Sequence, residues 1–307
     1  MTTFADKLQS SIDSTNSHLI AGCDPVIEKF PRFLLAAAEK EASSDAEFIE
    51  KALARFSELF LFSVQRRVAA IKPNIAFFEQ YGLPGLSVFK NLCDKIRVEG
   101  IPLIIDAKRG DIGSTAAAYS AAFLSGTTVR GKRSVAFEGD ALTVNPFLGF
   151  DTLEPFVTDC EKYGKGLFIL LQTSNPGAKD IQGLESGGKT VSGHVAQWLA
   201  TNATRLQGEC GWSGLGAVVG ASYPDEARAL RALLPTTFFL MPGFGAQGAG
   251  AGDAVAGFSV QEGKRGGALV NVSRGLLEGS ADSDESFTRL IAANADKFNA
   301  QLREAVA

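Results

Sequence analysis

Short apolar runs rich in β-forming residues alternate along the chain with longer stretches whose apolar residues recur at helical spacing. The apolar runs lie at residues 18–23, 68–75, 102–108, 141–147, 166–174, 215–222, 236–243 and 268–275. This alternation is typical of βα units that build a parallel sheet. Eight strands, each followed by a helix or helical turn, are the count of a (β/α)8 TIM barrel, and this α/β fold is our prediction.

The length of 307 residues leaves the number of domains open, because about 150 residues per domain is the usual guide. A doubly wound sheet would more often stop at five or six strands and bring a second domain. The chain has no Pro-rich or Ser-rich linker between two halves. We therefore predict a single barrel domain over residues 1–307, which ends in a packed helix that begins near Asp284.

Two segments interrupt this pattern, at residues 125–140 and 175–191. The second follows the carboxyl end of a predicted strand, where barrels build their active sites, so it is a candidate lid. In the first, Arg130, Lys132 and Arg133 are better explained as a solvated face than as a ligand site.

The charges nearly balance, with 30 Lys and Arg against 34 Asp and Glu, for a formal net charge of −4. Proteins that bind nucleic acid usually carry an excess of basic residues, which this chain does not have, so we expect no nucleic-acid partner. The sequence has no run of about 18 apolar residues, and its first residues lack the basic and apolar regions of a signal peptide. We expect no membrane association and a cytoplasmic location.

The cysteine and histidine content narrows the chemistry. The four cysteines are far apart in sequence without a CxxC pair, which argues against a zinc ribbon or a disulfide framework. Only two histidines are present, which leaves few metal centres or Ser-His-Asp triads. If the protein is an enzyme, we expect Lys, Asp, Glu or Arg to carry the reaction, with no metal.

The strongest chemical signal is IIDAKRGDIGSTAAAY, residues 104–119. Asp106 and Lys108 stand two apart on a predicted buried strand, so both side chains point into the barrel mouth. Burying a charge is costly unless it is paired, so these two side chains must form an ion pair with each other or with a ligand. The alternative is a structural ion pair that closes a barrel layer. Asp111 adds a second carboxylate where a helix begins, or serves only as the N-cap of that helix.

Two further charged residues stand at strand ends. Lys72 follows the apolar run VAAI, which favours a site residue over a solvated surface charge. Asp24 ends the first strand in AGCDP, and its alternative is a turn, because Asp-Pro favours one.

A glycine-rich segment, MPGFGAQGAGAGD at residues 241–253, follows the seventh predicted strand. Its backbone N–H groups could cradle a phosphate, and Arg274 after the eighth strand would add a bidentate contact. Gly243, Gly245 and Gly248 also spell the dinucleotide fingerprint, with Glu262 further on. We disfavour that interpretation, because the motif does not lie in the first βα turn and a poor helix follows it.

The run DAKRGDIGSTAAAY resembles the D-x-K-x-x-D-I signature of the orotidine 5'-phosphate decarboxylase family. The resemblance covers nearly the whole chain in the right order, and the length suggests the longer bacterial branch. It also takes in Asp24, Lys72, Ser174 in the SNPG turn, the VVGASYP strand, the PGFGAQG loop and Arg274. Sugar-phosphate enzymes share D-x-K-x-x-D, but the DIGST continuation and the loop ending in Gln247 favour the orotidylate branch.

This resemblance implies conversion of orotidine 5'-monophosphate to UMP and CO2, the last step of UMP synthesis, without a cofactor. It implies an alternating charge network of Lys72, Asp106, Lys108 and Asp111. In it, Lys108 would protonate C6 as CO2 leaves, and Asp106 would lie beside the substrate carboxylate.

The resemblance also implies a homodimer in which Asp111, Ile112 and Thr115 reach the partner's site. The substrate-binding residues it implies are Asp24 and Lys72 for the ribose hydroxyls, Ser174 for the pyrimidine, and Gln247 and Arg274 for the phosphate. The segment between Gln247 and Arg274 is longer than in compact family members.

Two alternatives to the decarboxylase remain. They are a metal-assisted enzyme acting on a sugar phosphate and a non-catalytic phosphate-ligand binder.

Overall fold

Eight parallel strands form a barrel in the computed structural model, which describes residues 2–244, 250–261 and 264–306. The strands are β1 Leu19–Cys23, β2 Ala70–Pro73, β3 Ile104–Arg109, β4 Ala141–Val144, β5 Gly166–Gln172, β6 Ser213–Val219, β7 Thr237–Met241 and β8 Ala268–Val272. All eight coincide with the predicted runs, so the predicted barrel is confirmed.

The strands lie side by side in the order β2-β1-β8-β7-β6-β5-β4-β3. Parallel bridges from Ile71 to Leu103 and from Asn74 to Asp106 join β2 to β3 and bring the two edges together. All carboxyl ends therefore meet at one rim, where barrel enzymes place their active sites. Nearly every strand residue is buried, because helices cover the outside and side chains fill the inside.

Helices precede, connect and follow the strands. They are α1 Phe4–Thr15, α2 Arg32–Glu41, α3 Asp45–Val64, α4 Ala76–Glu79, α5 Gly82–Val98, α6 Gly113–Ser120, α7 Glu154–Tyr163, α8 Val191–Asn202, α9 Pro224–Leu233, α10 Ala251–Ala254 and α11 Asp284–Val306. A π-helical turn at Ala121–Ser125 continues α6. Within the described residues, no helix is both long and apolar enough to cross a membrane.

The two irregular segments of the sequence each contain a small antiparallel hairpin that the sequence did not reveal. Strands Thr127–Val129 and Lys132–Ser134 pair in the first, and Glu185–Ser186 and Lys189–Thr190 in the second. In both hairpins, the two residues of the turn have positive φ, as at Gly187 and Gly188. This backbone conformation is typical of a tight two-residue hairpin turn. A third hairpin, Ser259–Gln261 with Lys264–Gly266, precedes β8.

Helix α1 closes the amino-terminal end of the barrel. Phe4 packs edge-on against Phe168 of β5, with ring centroids 6.0 Å apart. A Cβ at Gly166 would collide with the Phe4 ring, and one at Gly216 would come within 2.6 Å of Phe168. Glycine at these two positions therefore lets large aromatic rings fill the barrel interior at close-packed density.

A buried arginine bonds to the backbone at the amino-terminal end of the barrel. Arg231, near the end of α9, is 7% exposed and has no carboxylate partner among the described residues. Its guanidinium donates instead to four backbone carbonyls within 2.7–2.8 Å, those of Leu234, Thr237, Gly257 and Gly267. It also lies over the Phe239 ring at 3.8 Å. Burial lowers the pKa of Arg231 to about 9, so the group remains charged at neutral pH.

We predict that Arg231→Met lowers the free energy of unfolding by about 3 kcal/mol, because several buried carbonyls lose their donor. Urea denaturation followed by circular dichroism measures the change. Arg289→Met is the control, because Arg289 forms an exposed ion pair with Glu285 and should change stability by under about 1 kcal/mol. Equal effects of the two substitutions would contradict a structural role for Arg231.

Candidate active site

The carboxyl end of β3 departs from regular strand geometry. The pairing of β3 with β4 shifts register between Ile105 and Arg109, and Lys108 has a φ of +47°. Thr143 on β4 compensates, because its Oγ1 accepts hydrogen bonds from the backbone N–H groups of Ala107 at 3.0 Å and Lys108 at 2.9 Å. The side chain of Thr143 thus replaces the missing ladder partners and lets the strand end bend.

Asp106 lies at the centre of the charged groups. Its Oδ2 accepts a hydrogen bond from Lys72 Nζ at 2.6 Å, and its Oδ1 accepts one from Lys108 Nζ at 2.6 Å. Thr143 Oγ1 donates to the same Oδ1 at 2.9 Å. Lys72 and Asp106 are only 5% and 7% exposed, whereas the side chain of Lys108 is 48% exposed. The structure therefore brings together three of the four residues predicted to form the network.

In this cluster, burial and ion pairing shift the pKa values of the charged groups in opposite directions, and ion pairing has the larger effect. Burial alone would raise the pKa of Asp106, but the ammonium groups of Lys72 and Lys108 lower it below the usual value. Burial alone would lower the pKa of Lys72, but the charges of Asp106 and Asp24 raise it. Both groups of the buried pair are therefore charged at neutral pH.

A cavity of about 550 Å³ lies above this cluster. Ser174 lines it, together with part of the 175–191 segment. Gln182 anchors that segment: its Oε1 accepts from Thr173 N at 2.9 Å, and its Nε2 donates to Thr173 Oγ1 at 2.8 Å. The candidate lid thus forms one wall of the cavity, fixed beside Ser174.

The predicted substrate-binding residues Asp24 and Arg274 lie beside this cavity. Both line a neighbouring cavity of about 800 Å³ at the ends of β1 and β8. Asp24 Oδ1 is buried and has no hydrogen-bond partner among the described residues. An aspartate that stabilises a turn would accept a hydrogen bond from the nearby backbone, so this oxygen does not support the turn alternative. Gln247 lies outside the described residues, as do Gly245, Gly248 and Glu262 of the dinucleotide fingerprint. The glycine-rich segment follows the seventh barrel strand, which does not fit a Rossmann βα turn.

Asp111, Ile112 and Thr115 lie at the start of α6, on the outside of the rim. Ile112 occupies the N-cap position without a side-chain hydrogen bond, and within the described part of the chain Asp111 Oδ1 accepts only from the adjacent Ile112 N–H. The alternative that Asp111 caps this helix is therefore wrong. Ile112 and Thr115 are exposed, and none of the three lines the cavity of the single chain as the described residues define it.

Two polar residues that lie within described barrel strands and line the cavity were not predicted from the sequence. Thr143 and Asn271 both line the cavity with Lys72 and Asp106. Each is a polar residue at an inward position of an otherwise apolar strand, and this signal could have identified them. As for metals, no group of three or more His, Cys, Asp or Glu side chains suited to an ion occurs within residues 2–244, 250–261 and 264–306.

We predict that Asp106→Asn lowers the free energy of unfolding at pH 7 by about 3–5 kcal/mol, because the buried ammonium of Lys72 then loses the carboxylate to which it is hydrogen-bonded. The lowered pKa of Asp106 stabilises the fold above pH 3.8, and this stabilisation is lost as the pH falls further. Urea denaturation at pH 7 and about pH 2.5 should therefore show a smaller difference from the parent protein in acid.

The control for this measurement is Asp94→Asn. Among the residues that the structure describes, the ion-pair partners of Asp94 are Lys90 and Arg97 at the surface, so its replacement should change stability by under about 1 kcal/mol. A difference between Asp106→Asn and the parent protein that stays constant from neutral to acid pH would refute the charged state assigned to Asp106.

Comparison with known proteins places this geometry in a family. The model of the Orotidine 5'-phosphate decarboxylase / HUMPS family matches residues 7–287. An orotidine 5'-phosphate decarboxylase of Caldicellulosiruptor bescii is 40% identical over 248 residues, which cover 81% of each chain. Another, of Rhodopirellula baltica, is 39% identical over 294 residues, 93% of this chain and 94% of that one.

The fold agrees with these matches. The solved structure of Leishmania donovani OMP decarboxylase superposes with a TM-score of 0.73 at 28% identity, covering 99% of both chains. The sequence matches, the barrel and the Lys-Asp-Lys cluster at its carboxyl-terminal rim lead to one assignment. The chain belongs to the orotidine 5'-phosphate decarboxylase / HUMPS family.

Proposed function

We propose that the protein decarboxylates orotidine 5'-monophosphate to UMP and CO2, with Lys108 as the proton donor and without a cofactor. The observation that carries this proposal is the carboxylate of Asp106 held between the ammonium groups of Lys72 and Lys108 at the floor of a cavity. The names of the relatives and the family match support the same reaction.

The cluster suits a reaction that develops negative charge on carbon. As the bond from C6 to the carboxylate breaks, its electron pair stays on C6 and CO2 departs. The ammonium of Lys108 stabilises that carbanion and transfers a proton to C6. At an effective dielectric near 20, unit charges about 4 Å apart interact by about 4 kcal/mol, so this placement is significant. Lys108 then regains a proton from solvent, to which about half of its side chain is exposed.

Asp106 has two roles in this proposal. Its negative charge pairs with the Lys108 ammonium and holds that group at the cavity floor. It also lies where the substrate carboxylate would bind, so repulsion between the two would favour loss of CO2. Lys72 holds Oδ2 of the Asp106 carboxylate, and Thr143 holds Oδ1, the oxygen that also pairs with Lys108.

The remaining contacts position the nucleotide. Asp24, with its unpaired buried oxygen, and Lys72 would hold the ribose hydroxyls. Ser174, on the cavity wall, would contact the pyrimidine. Arg274 at the end of β8, with Gln247, would bind the phosphate. Binding energy from the phosphate, remote from C6, then helps to orient the reacting group.

We also propose a homodimer in which Asp111, Ile112 and Thr115 complete the site of the partner. Ile112, Phe147 and Leu148 are large apolar side chains exposed on the loops after β3 and β4. Neighbouring exposed apolar groups of this kind mark a protein interface. The four cysteines are free thiols, which fits a reducing compartment such as the cytoplasm.

We predict that Lys108→Ala lowers kcat at least about a thousandfold, because the proton donor and its charge are removed together. Loss of orotidylate absorbance in the presence of EDTA measures the reaction. The parent protein should remain fully active with EDTA, whereas a metal-assisted enzyme acting on a sugar phosphate would lose activity.

Lys132→Ala is the matched control, because Lys132 is an exposed lysine on the hairpin at 127–134 and should leave turnover unchanged. Thermal melting of the Lys108 variant should stay close to that of the parent. Full activity of Lys108→Ala would rule out the role given to Lys108.

The proposed sharing of Asp111 predicts complementation between two inactive variants. Mixing Lys108→Ala with Asp111→Ala and letting subunits exchange should restore about a quarter of the parent activity, because each hybrid dimer has one intact site. Each variant alone serves as its own control. If the mixture remains inactive although hybrid dimers form, Asp111 acts within its own chain or not at all.

A further inference from the structure

The peptide unit that joins Ala107 to Lys108 is hydrogen-bonded at both of its polar ends. Its N–H group, which belongs to Lys108, donates to Thr143 Oγ1 at 2.9 Å. Its carbonyl group, which belongs to Ala107, accepts from Nη1 of Arg109 at 3.2 Å. Because a peptide unit is planar, its orientation determines the φ of Lys108. The two hydrogen bonds therefore fix the bend from which the Lys108 side chain reaches Asp106.

Such support is needed because the backbone of Lys108 is strained. Its φ of +47° lies in the left-handed region, which costs free energy for a lysine. The other described non-glycine residues with a positive φ are Asn16, Arg130 and Glu138, and none of them lies in a barrel strand. Without a hydrogen bond at both ends, rotation of the peptide unit would relieve the strain. That rotation would also change the direction of the Lys108 side chain relative to Asp106.

Arg109 is itself held by contacts with two other segments. Its Nη2 donates to Glu79 Oε1 at 2.5 Å, at the end of α4, and its guanidinium lies 5.5 Å from the ring centroids of both Tyr119 and Phe123. Its Nε is buried without a partner among the described residues, so Nη1 and Nη2 carry its hydrogen bonds. Helix α4 follows β2, and α6 follows β3. The guanidinium thus links the backbone beside Lys108 to the segments that follow both strands.

Arg109 lies outside the set of groups that would touch the substrate. It does not line the cavity above Asp106, as the described residues define that cavity. Its positive charge is paired with Glu79, and its hydrogen bond to β3 goes to a backbone carbonyl and not to the ammonium of Lys108. We therefore expect any effect of Arg109 on the reaction to pass through the backbone that it holds.

We propose that Arg109 is a positioning residue for Lys108. By holding the carbonyl of Ala107, it keeps the ammonium of Lys108 beside Asp106. This inference rests on the proposed function, in which that ammonium protonates C6. A guanidinium suits the role, because its planar group donates to a carbonyl and to a carboxylate in fixed directions at the same time. Loss of Arg109 should therefore impair the proton transfer more than the binding of the nucleotide.

The test compares Arg109→Met with the parent protein. Methionine keeps an unbranched side chain but has no hydrogen-bond donor. We expect kcat for orotidine 5'-monophosphate to fall about tenfold, which corresponds to about 1.4 kcal/mol, the order of the strain of a left-handed residue. The KM and the affinity for UMP, measured by isothermal titration calorimetry, should change by less than about threefold, because the groups that line the cavity are unchanged. A crystal structure of the variant should show Lys108 with a negative φ and its Nζ no longer bonded to Asp106.

Two controls separate positioning from a general loss of charge or structure. Glu79→Gln keeps an acceptor for Arg109 but removes the charge, so kcat should fall by less than about threefold. Arg205→Met removes an arginine that is about as exposed as Arg109 and that pairs with Glu154 and Glu161 on the outside of the barrel. This substitution should lower the melting temperature without changing kcat.

Arg109→Lys replaces Arg109→Met if methionine disturbs folding. Its ammonium keeps a positive charge beside Glu79 but lacks the planar pair of donors. It should show the same pattern with a smaller loss, about threefold in kcat.

Three results would overturn the assignment of Arg109. They are an unchanged kcat in its variants, a loss of affinity for UMP as large as the loss of kcat, and a Lys108 that keeps its φ and its bond to Asp106 in the variant structure. Failure of the parent protein to convert orotidine 5'-monophosphate would instead refute the proposed function. In that case, the crystal structure of the variant still tests whether Arg109 holds the backbone of Lys108.

Discussion

The arrangement of the carboxyl-terminal rim depends on one carboxylate held between two ammonium groups. Asp106 and Lys72 are almost fully removed from water, and each would be unstable there without the other. The pair therefore requires that β2 and β3 be adjacent and in register, which the bridge from Asn74 to Asp106 provides. It also requires a further donor for the second carboxylate oxygen, Oδ1, which Thr143 supplies from β4.

This constraint explains why β3 bends where it does. A regular strand end would pair its backbone N–H groups with β4 and leave Thr143 free. In the structure, the hydroxyl of Thr143 accepts from two N–H groups and donates to Asp106, which uses its full hydrogen-bonding capacity. The bend places Lys108 in the left-handed region of φ, a strained conformation for a lysine. Residues held in strained conformations cluster at functional sites, which agrees with the position of Lys108 in the candidate site.

The sequence could predict the barrel and the Asp106–Lys108 pair because both follow from local periodicity. Eight apolar runs give the strands, and a spacing of two places both charges on one face. The hydrogen bonds of Thr143 could not be predicted, because they depend on a register shift between strands. Arg231 was also missed, because within a helix of alternating charge it resembles a surface residue. Its carbonyl partners come from segments up to 36 positions away in sequence.

The charge balance of the site bears on the proposed assembly. Among the described residues of one chain, the charges of Asp106 and Asp24 both act on Lys72, and Lys108 shares only the Asp106 carboxylate, so the floor around Lys108 carries an excess of positive charge. Such a floor would hold a bound substrate carboxylate by attraction, which opposes its loss. The carboxylate of Asp111 from a partner would offset this excess, and the substrate carboxylate would then meet an environment already balanced. In the proposed mechanism, therefore, the dimer is part of the electrostatics of the reaction and not only a means of stabilising the barrel.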